Sequence, residues 1–223
     1  MKENDFSHLP TPFMDQADYD HLYRNNFGTD ELDWSEGDWQ EIRLRPDMSA
    51  IEVYRMLPSA EKFEYGGHLL KDSIQYVRCR ETSATTISSN HCTFHSHPTN
   101  LPGTEPDIPS ASDVYNFIKR KQLRSVTMGK KLIWVFDKTP KTIPVIEQLV
   151  QWEEQNMVSV CRKLIPTEKY HLSSLYSDHV LQQFGLDWPM CSAEVSKSFK
   201  ANWQSSLQTV LKIDVTVYAR EML

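Results

Sequence analysis

A β-like run, His91 to His97, ends at Pro98 with two histidines two residues apart, His95 and His97, and this stretch constrains the fold more than any other. Along a strand, residues i and i+2 project from one face, so the two imidazoles can converge on one ion at about 2.0 to 2.1 Å each. Pro98 ends the strand because it cannot donate to a ladder, and the chain turns away there. A hydrolytic metal site needs a third ligand and an open position for water. Asp113 can supply that ligand from the start of the next helix. The helix opens at Ser110-Ala111-Ser112-Asp113. On its own, this tetrapeptide is a capping box, with Ser110 at the N-cap and a carboxylate three residues on. Downstream of His-x-His, the same turn also brings a hydroxyl and a carboxylate to the metal.

Strand and helix periods surround the stretch. Glu41 to Arg45 alternates as a strand, and Asp47-Met48-Ser49 opens a helix with Ile51, Tyr54 and Leu57 on its apolar face, stopped near Pro58. Phe63 to Leu70, Ile74 to Arg80 and His91 to His97 read as three strands. A helix spans Ser110 to Leu123, and Ser125–Met128 and Leu132–Phe136 flank Gly129-Lys130 as a hairpin. The expected order is β-α-β-β-β-α-β-β. Beyond Pro140 the pattern is helical around Ile146–Trp152, Val180–Phe184 and Ala193–Leu211, with a late strand from Ile213 to Tyr218. The chain thus divides into an arm (1–38), a core (39–140) and a mainly helical extension (141–223), consistent with one catalytic unit and its decorations in 223 residues.

Composition narrows the function classes. A formal net charge of −6 argues against nucleic-acid binding, which calls for a basic stripe. No apolar run is long enough to span a bilayer and the N-terminus is acidic, so an intracellular, cytoplasmic protein is expected, with no membrane partner. Cys79, Cys92, Cys161 and Cys191 are scattered without a C-x-x-C pair, which fits reduced thiols. Residues 1–38 hold ten carboxylates against Lys2 and Arg24, interleaved with aromatics such as Phe6, Tyr19 and Trp34. This arm docks either onto the chain's own core or onto a partner. Lys119, Arg120, Lys121, Arg124, Lys130 and Lys131 form a basic cluster, read either as a solvated helix end or as a surface for an acidic partner.

His95-Ser96-His97-Pro98 followed by Ser110-x-x-Asp113 resembles the signature of the JAMM (MPN-type, JAB) zinc metalloproteases, a family that includes deubiquitinases. That family also carries a catalytic glutamate on a strand after the first helix, and Phe63-Glu64-Tyr65-Gly66-Gly67-His68-Leu69-Leu70 resembles that segment. The resemblance covers roughly 39–140. It implies an α/β (α+β), cytidine-deaminase-like mixed sheet flanked by helices. It further implies one Zn2+ per chain held by His95, His97 and Asp113, Glu64 as general base towards zinc-activated water, and Ser110 steadying the oxyanion. The implied activity is hydrolysis of a peptide or isopeptide bond beside ubiquitin or a ubiquitin-like modifier. Relatives act as well on bacterial sulfur carriers and phage cell-wall peptides. The alternative is a scaffold subunit of a larger assembly, for example a viral particle, engaging partners through the arm or the C-terminal helices.

One departure from the family is the twelve residues between His97 and Ser110, longer than usual, which places an insertion, Thr99 to Pro109, beside the site. A competing frame, Thr104-Glu105-Pro106-Asp107, restores the spacing but puts a proline inside the helix and lacks apolar periodicity after it. His68 and His91 are candidates for hydrogen bonding to the ligands or for the core. His8, His21, His171 and His179 have no neighbours that suggest ligation, and no Gly-rich phosphate loop or nucleophile elbow is present.

Overall fold

A computed structural model describes residues 38–79, 92–100, 107–120, 122–166, 172–186 and 197–220. In chain order the elements are β1 (Gln40–Arg43), α1 (Ala50–Arg55), β2 (Tyr65–Leu69), β3 (Ser73–Arg78), β4 (Cys92–Ser96), α2 (Ala111–Lys119), β5 (Arg124–Met128) and β6 (Leu132–Asp137). After a 3-10 turn follow α3 (Ile143–Cys161), α4 (Leu172–Gln183), α5 (Lys197–Leu211) and β7 (Asp214–Ala219). The result is a mixed α/β architecture built on one seven-stranded sheet in the order β1-β3-β2-β4-β5-β6-β7. Neighbours are antiparallel except β4 and β5, which run parallel. A parallel pair needs a crossover, and α2 is that crossover. The strand carrying the histidines and the helix carrying Asp113 are therefore consecutive parts of one β-α-β unit.

Alternation along the strands separates two apolar layers. Leu69, Ile74, Cys92, Phe94, Val126, Met128, Ile133 and Val135 pack against Val53, Tyr54 and Leu57 of the α1 region. Trp134, Phe136 and Val215 face the other way, against Val114, Phe117 and Ile118 of α2 and against α3, α4 and α5. Each fully buried side chain of this size contributes roughly 1.5 to 3 kcal/mol. Several of them on one short helix fix α2 firmly over the sheet.

The strand expected from Phe63 to Leu70 is shorter, Tyr65–Leu69, with Glu64 just before it, and two further features stand out. Helix α2 stops at Lys119 instead of Leu123, because Arg120 turns extended and its carbonyl accepts from Nζ of the buried Lys138. The late strand, β7, becomes an edge of the main sheet, paired with β6 from Leu132↔Ala219 to Asp137↔Asp214. The C-terminal helices join α2 through a buried polar network. Glu153 of α3 accepts from the hydroxyls of Tyr115 and Tyr176, the latter at 2.9 Å, and pairs with Lys119 at 2.9 Å. Among the described residues, no helix is long and apolar enough to cross a membrane.

At Gly67 a Cβ would stand 2.0 Å from the Gln75 carbonyl oxygen, so β2 and β3 approach too closely for any side chain there. The glycine is required by this contact and holds in register the strand that follows Glu64.

Candidate metal centre

The histidines are brought together by the end of β4, whose ladder to β5 continues past Ser96 when the His97 N–H donates to the Met128 carbonyl at 2.8 Å. His95 and His97 thus share the α2 side of the sheet. Asp113 reaches them from above because α2 begins at Ser110 in a complete capping box. The Ser110 N–H donates to Asp113 Oδ2 at 2.6 Å, and the Asp113 N–H donates to Ser110 Oγ at 3.1 Å. The carboxylate closes the helix start and at the same time faces the two rings.

The geometry is tight. His95 Nε2 and His97 Nε2 lie 3.3 Å apart. Asp113 presents one oxygen to each ring, Oδ1 to His95 at 3.2 Å and Oδ2 to His97 at 3.2 Å. Tetrahedral bonds of about 2.0 to 2.1 Å set ligand atoms about 3.3 to 3.4 Å apart. His95 Nε2 lies near such an edge length from His97 Nε2 and from Asp113 Oδ1, and among the described residues the three side chains form a group able to hold a metal ion. Hydrogen bonds alone satisfy the cluster poorly, since two imidazole nitrogens and a carboxylate all aim at one point. Because the Ser110 N–H occupies Oδ2, Oδ1 is the freer ligand atom. Burial by itself would raise the Asp113 carboxyl, but the charge of His95, then hydrogen bonds from both rings, hold it well below the ordinary carboxylate range.

Glu64 immediately precedes the neighbouring strand, β2. The β2–β4 register ends with Tyr65 opposite Ser96, so Glu64 and His97 are the next residues beyond the ladder, and the charges of His97 and Asp113 act on the Glu64 carboxyl. The Glu64 backbone carbonyl accepts the Cys79 N–H at 2.9 Å. The side chain is partly buried. Withdrawal from water lifts its carboxyl to about 8, opposed by His97 and reinforced by the negative charge of Asp113.

The remaining sequence candidates lie elsewhere. Asp107 of the competing frame is buried and accepts from the Lys131 and Leu132 backbone N–H groups, the latter at 3.0 Å, so it closes the β5–β6 turn and is not a ligand of this cluster. The rest of that frame is outside the described residues, as are His8, His21, His91, His171, Lys121, Cys191 and the arm up to residue 37. His68 stacks on Trp39 with centroids 5.6 Å apart. His179 leans on Trp152. Two members of the basic cluster are spoken for: Lys119 by Glu153, and Arg124 by both oxygens of Asp137.

One residue within the motif had no role assigned from sequence. Ser96, fully buried between the two histidines, accepts the Tyr65 N–H on its Oγ at 3.0 Å and so ties the strand after Glu64 to the strand of the ligands. Its only signal was a hydroxyl flanked by the two imidazoles. Comparison of the chain with models of known families, with curated proteins and with solved structures finds no match. The site therefore stands on its own geometry.

Proposed function

We propose that this chain is a zinc-dependent hydrolase of amide bonds, an isopeptidase or peptidase acting beside ubiquitin or a ubiquitin-like modifier. The observation that supports it is the convergence of His95, His97 and Asp113 at 3.2 to 3.3 Å, with Glu64 one residue beyond the Tyr65–Ser96 pair and within the field of His97 and Asp113. Two imidazoles and one carboxylate suit zinc, whereas calcium and magnesium favour all-oxygen sets. When bound, zinc supplies Lewis acidity, which polarises a carbonyl and acidifies water.

The chain's own residues divide the remaining work. Glu64, partly buried beside the ligand cluster, accepts a proton from the attacking water and returns it to the leaving nitrogen. Ser110 is exposed, and its oxygen accepts from the Asp113 N–H, so the hydroxyl proton is available to a substrate carbonyl oxygen. One such donor is worth roughly 3 to 4 kcal/mol in other hydrolases. The modifier class comes from the resemblance carried by Glu64, His95-Ser96-His97-Pro98 and Ser110-x-x-Asp113.

A second reading, a scaffold subunit, draws on exposed apolar side chains in and after α3, notably Val158 (64% exposed) and Ile165 (80%). Metal content separates the two. Elemental analysis of protein purified without added metal is expected to give about one zinc per chain by the stoichiometry of a three-ligand site, lost in His97→Ala. The zinc-loaded protein should then cleave a member of a panel of ubiquitin-like conjugates, and chelation should stop it. A native protein that takes up no zinc after reconstitution would leave the scaffold reading.

A further inference from the structure

The strand registers set Gly66 of β2, His95 of β4, Thr127 of β5 and Trp134 of β6 in one row on the α2 face. Thr127 is therefore the immediate neighbour of a candidate ligand, one strand spacing of about 4.8 Å away. It is 1% exposed, and its Oγ1 has no hydrogen-bond partner among the described residues. A buried hydroxyl with nothing to bond is unfavourable, and valine fills the same volume in a strand without that penalty.

His95 offers the complementary group. Its contacts to His97 and Asp113 run through Nε2. With Nε2 turned to the ligand cluster, the ring proton belongs on Nδ1, and a ligating imidazole ordinarily donates that proton to an acceptor that fixes its tautomer and orientation. The rest of the row cannot serve either group. Gly66 has no side chain, and the Trp134 Nε1–H is donated to the Asp107 carbonyl at 2.7 Å.

We infer that Thr127 is a positioning residue for His95, its hydroxyl accepting the Nδ1 proton when Nε2 engages a metal ion. This role rests on the metal-binding reading of the cluster and extends it to a fourth side chain, on a strand that the ligand motif does not include.

The test is Zn2+ affinity, by competition with a chelator, for the full chain and for Thr127→Val and Thr127→Ser, beside thermal unfolding of each protein without metal. Thr127→Val should bind zinc about 10- to 100-fold more weakly while its metal-free form unfolds no earlier than native, and Thr127→Ser should restore near-native affinity. Native affinity in Thr127→Val would overturn the role and leave the hydroxyl as packing. Weakened binding accompanied by early unfolding, or not rescued by serine, would overturn it as well. If the native chain itself fails to bind zinc, the metal reading falls and this role with it, an outcome distinct from the others.

Discussion

Helix α2 carries two polar clusters that behave differently. Further along the helix and at its end, Tyr115 and Lys119 meet Glu153 and, through it, Tyr176, each donor matched to an acceptor across three helices. Before its first turn and in it, Ser110 and Asp113 meet His95 and His97 with lone pairs converging on one point. The first cluster is closed: every partner it needs is in the chain. The second is open, and an added cation would complete it. A closed buried network specifies how helices dock, whereas an open one is held in readiness by scaffolding that does not depend on it.

The contrast can be broken most strongly at Glu64. In the zinc-loaded protein, Glu64→Gln should lower the hydrolysis rate of a cleaved conjugate by about 10²- to 10⁴-fold while zinc per chain is unchanged. Loss of zinc together with rate would make Glu64 part of the ligand set. Next comes the closed cluster. Glu153→Ala removes the carboxylate that Lys119 pairs with and to which both tyrosine hydroxyls donate, and should cost about 3 kcal/mol in urea unfolding, the low end for a broken buried pair because Lys119 retains 22% exposure. His97→Ala in metal-free protein should cost less than that, because Asp113 keeps the Ser110 N–H and His95 as partners. Equal losses at the two positions would erase the distinction between open and closed.

Metal itself gives the third effect. At about a hundred times its dissociation constant, zinc should raise unfolding stability by about 2.7 kcal/mol in the native chain and not in His97→Ala. The last effect is a pH dependence of the metal-free protein. The folded Glu64 carboxyl titrates at about 8 against an ordinary value of 4.5, so between those values the folded state holds a proton that the unfolded state has released. The associated stability is fully present below about 4.5 and is lost as pH rises through 8, at up to about 1.4 kcal/mol per pH unit. Native protein should therefore melt earlier at pH 7.5 than at 5.5 relative to Glu64→Gln, whose side chain does not titrate. Taking the difference between the two proteins removes the shared contribution of the histidines, and parallel profiles would contradict the burial of Glu64.

Much of the site was legible because its signals are local. His95 and His97 share a strand face by alternation, Ser110 and Asp113 share one helical turn, and the strand and helix order to Asp137 follows from apolar periods. What escaped is set by partners distant in sequence. Alternation marks Ile213–Tyr218 as a strand but does not say that it lies beside β6. Lys119 and Arg124 look like a solvated basic patch until Glu153 and Asp137 arrive from other elements. The hydroxyls of Ser96 and Thr127 acquire meaning only through register, which fixes the neighbours of every strand residue and is invisible in a single strand.

The stretch between the ligands is held at both ends. Thr99 and Asn100 are moored to the Ala60 and Glu61 carbonyls at 3.0 and 3.1 Å, and Asp107 is moored to the β5–β6 turn. With both ends held by these bonds, the positions that deliver His97 and Asp113 are set by the anchors and not by the number of residues between them. Sequence distance is thus a poor ruler for this centre.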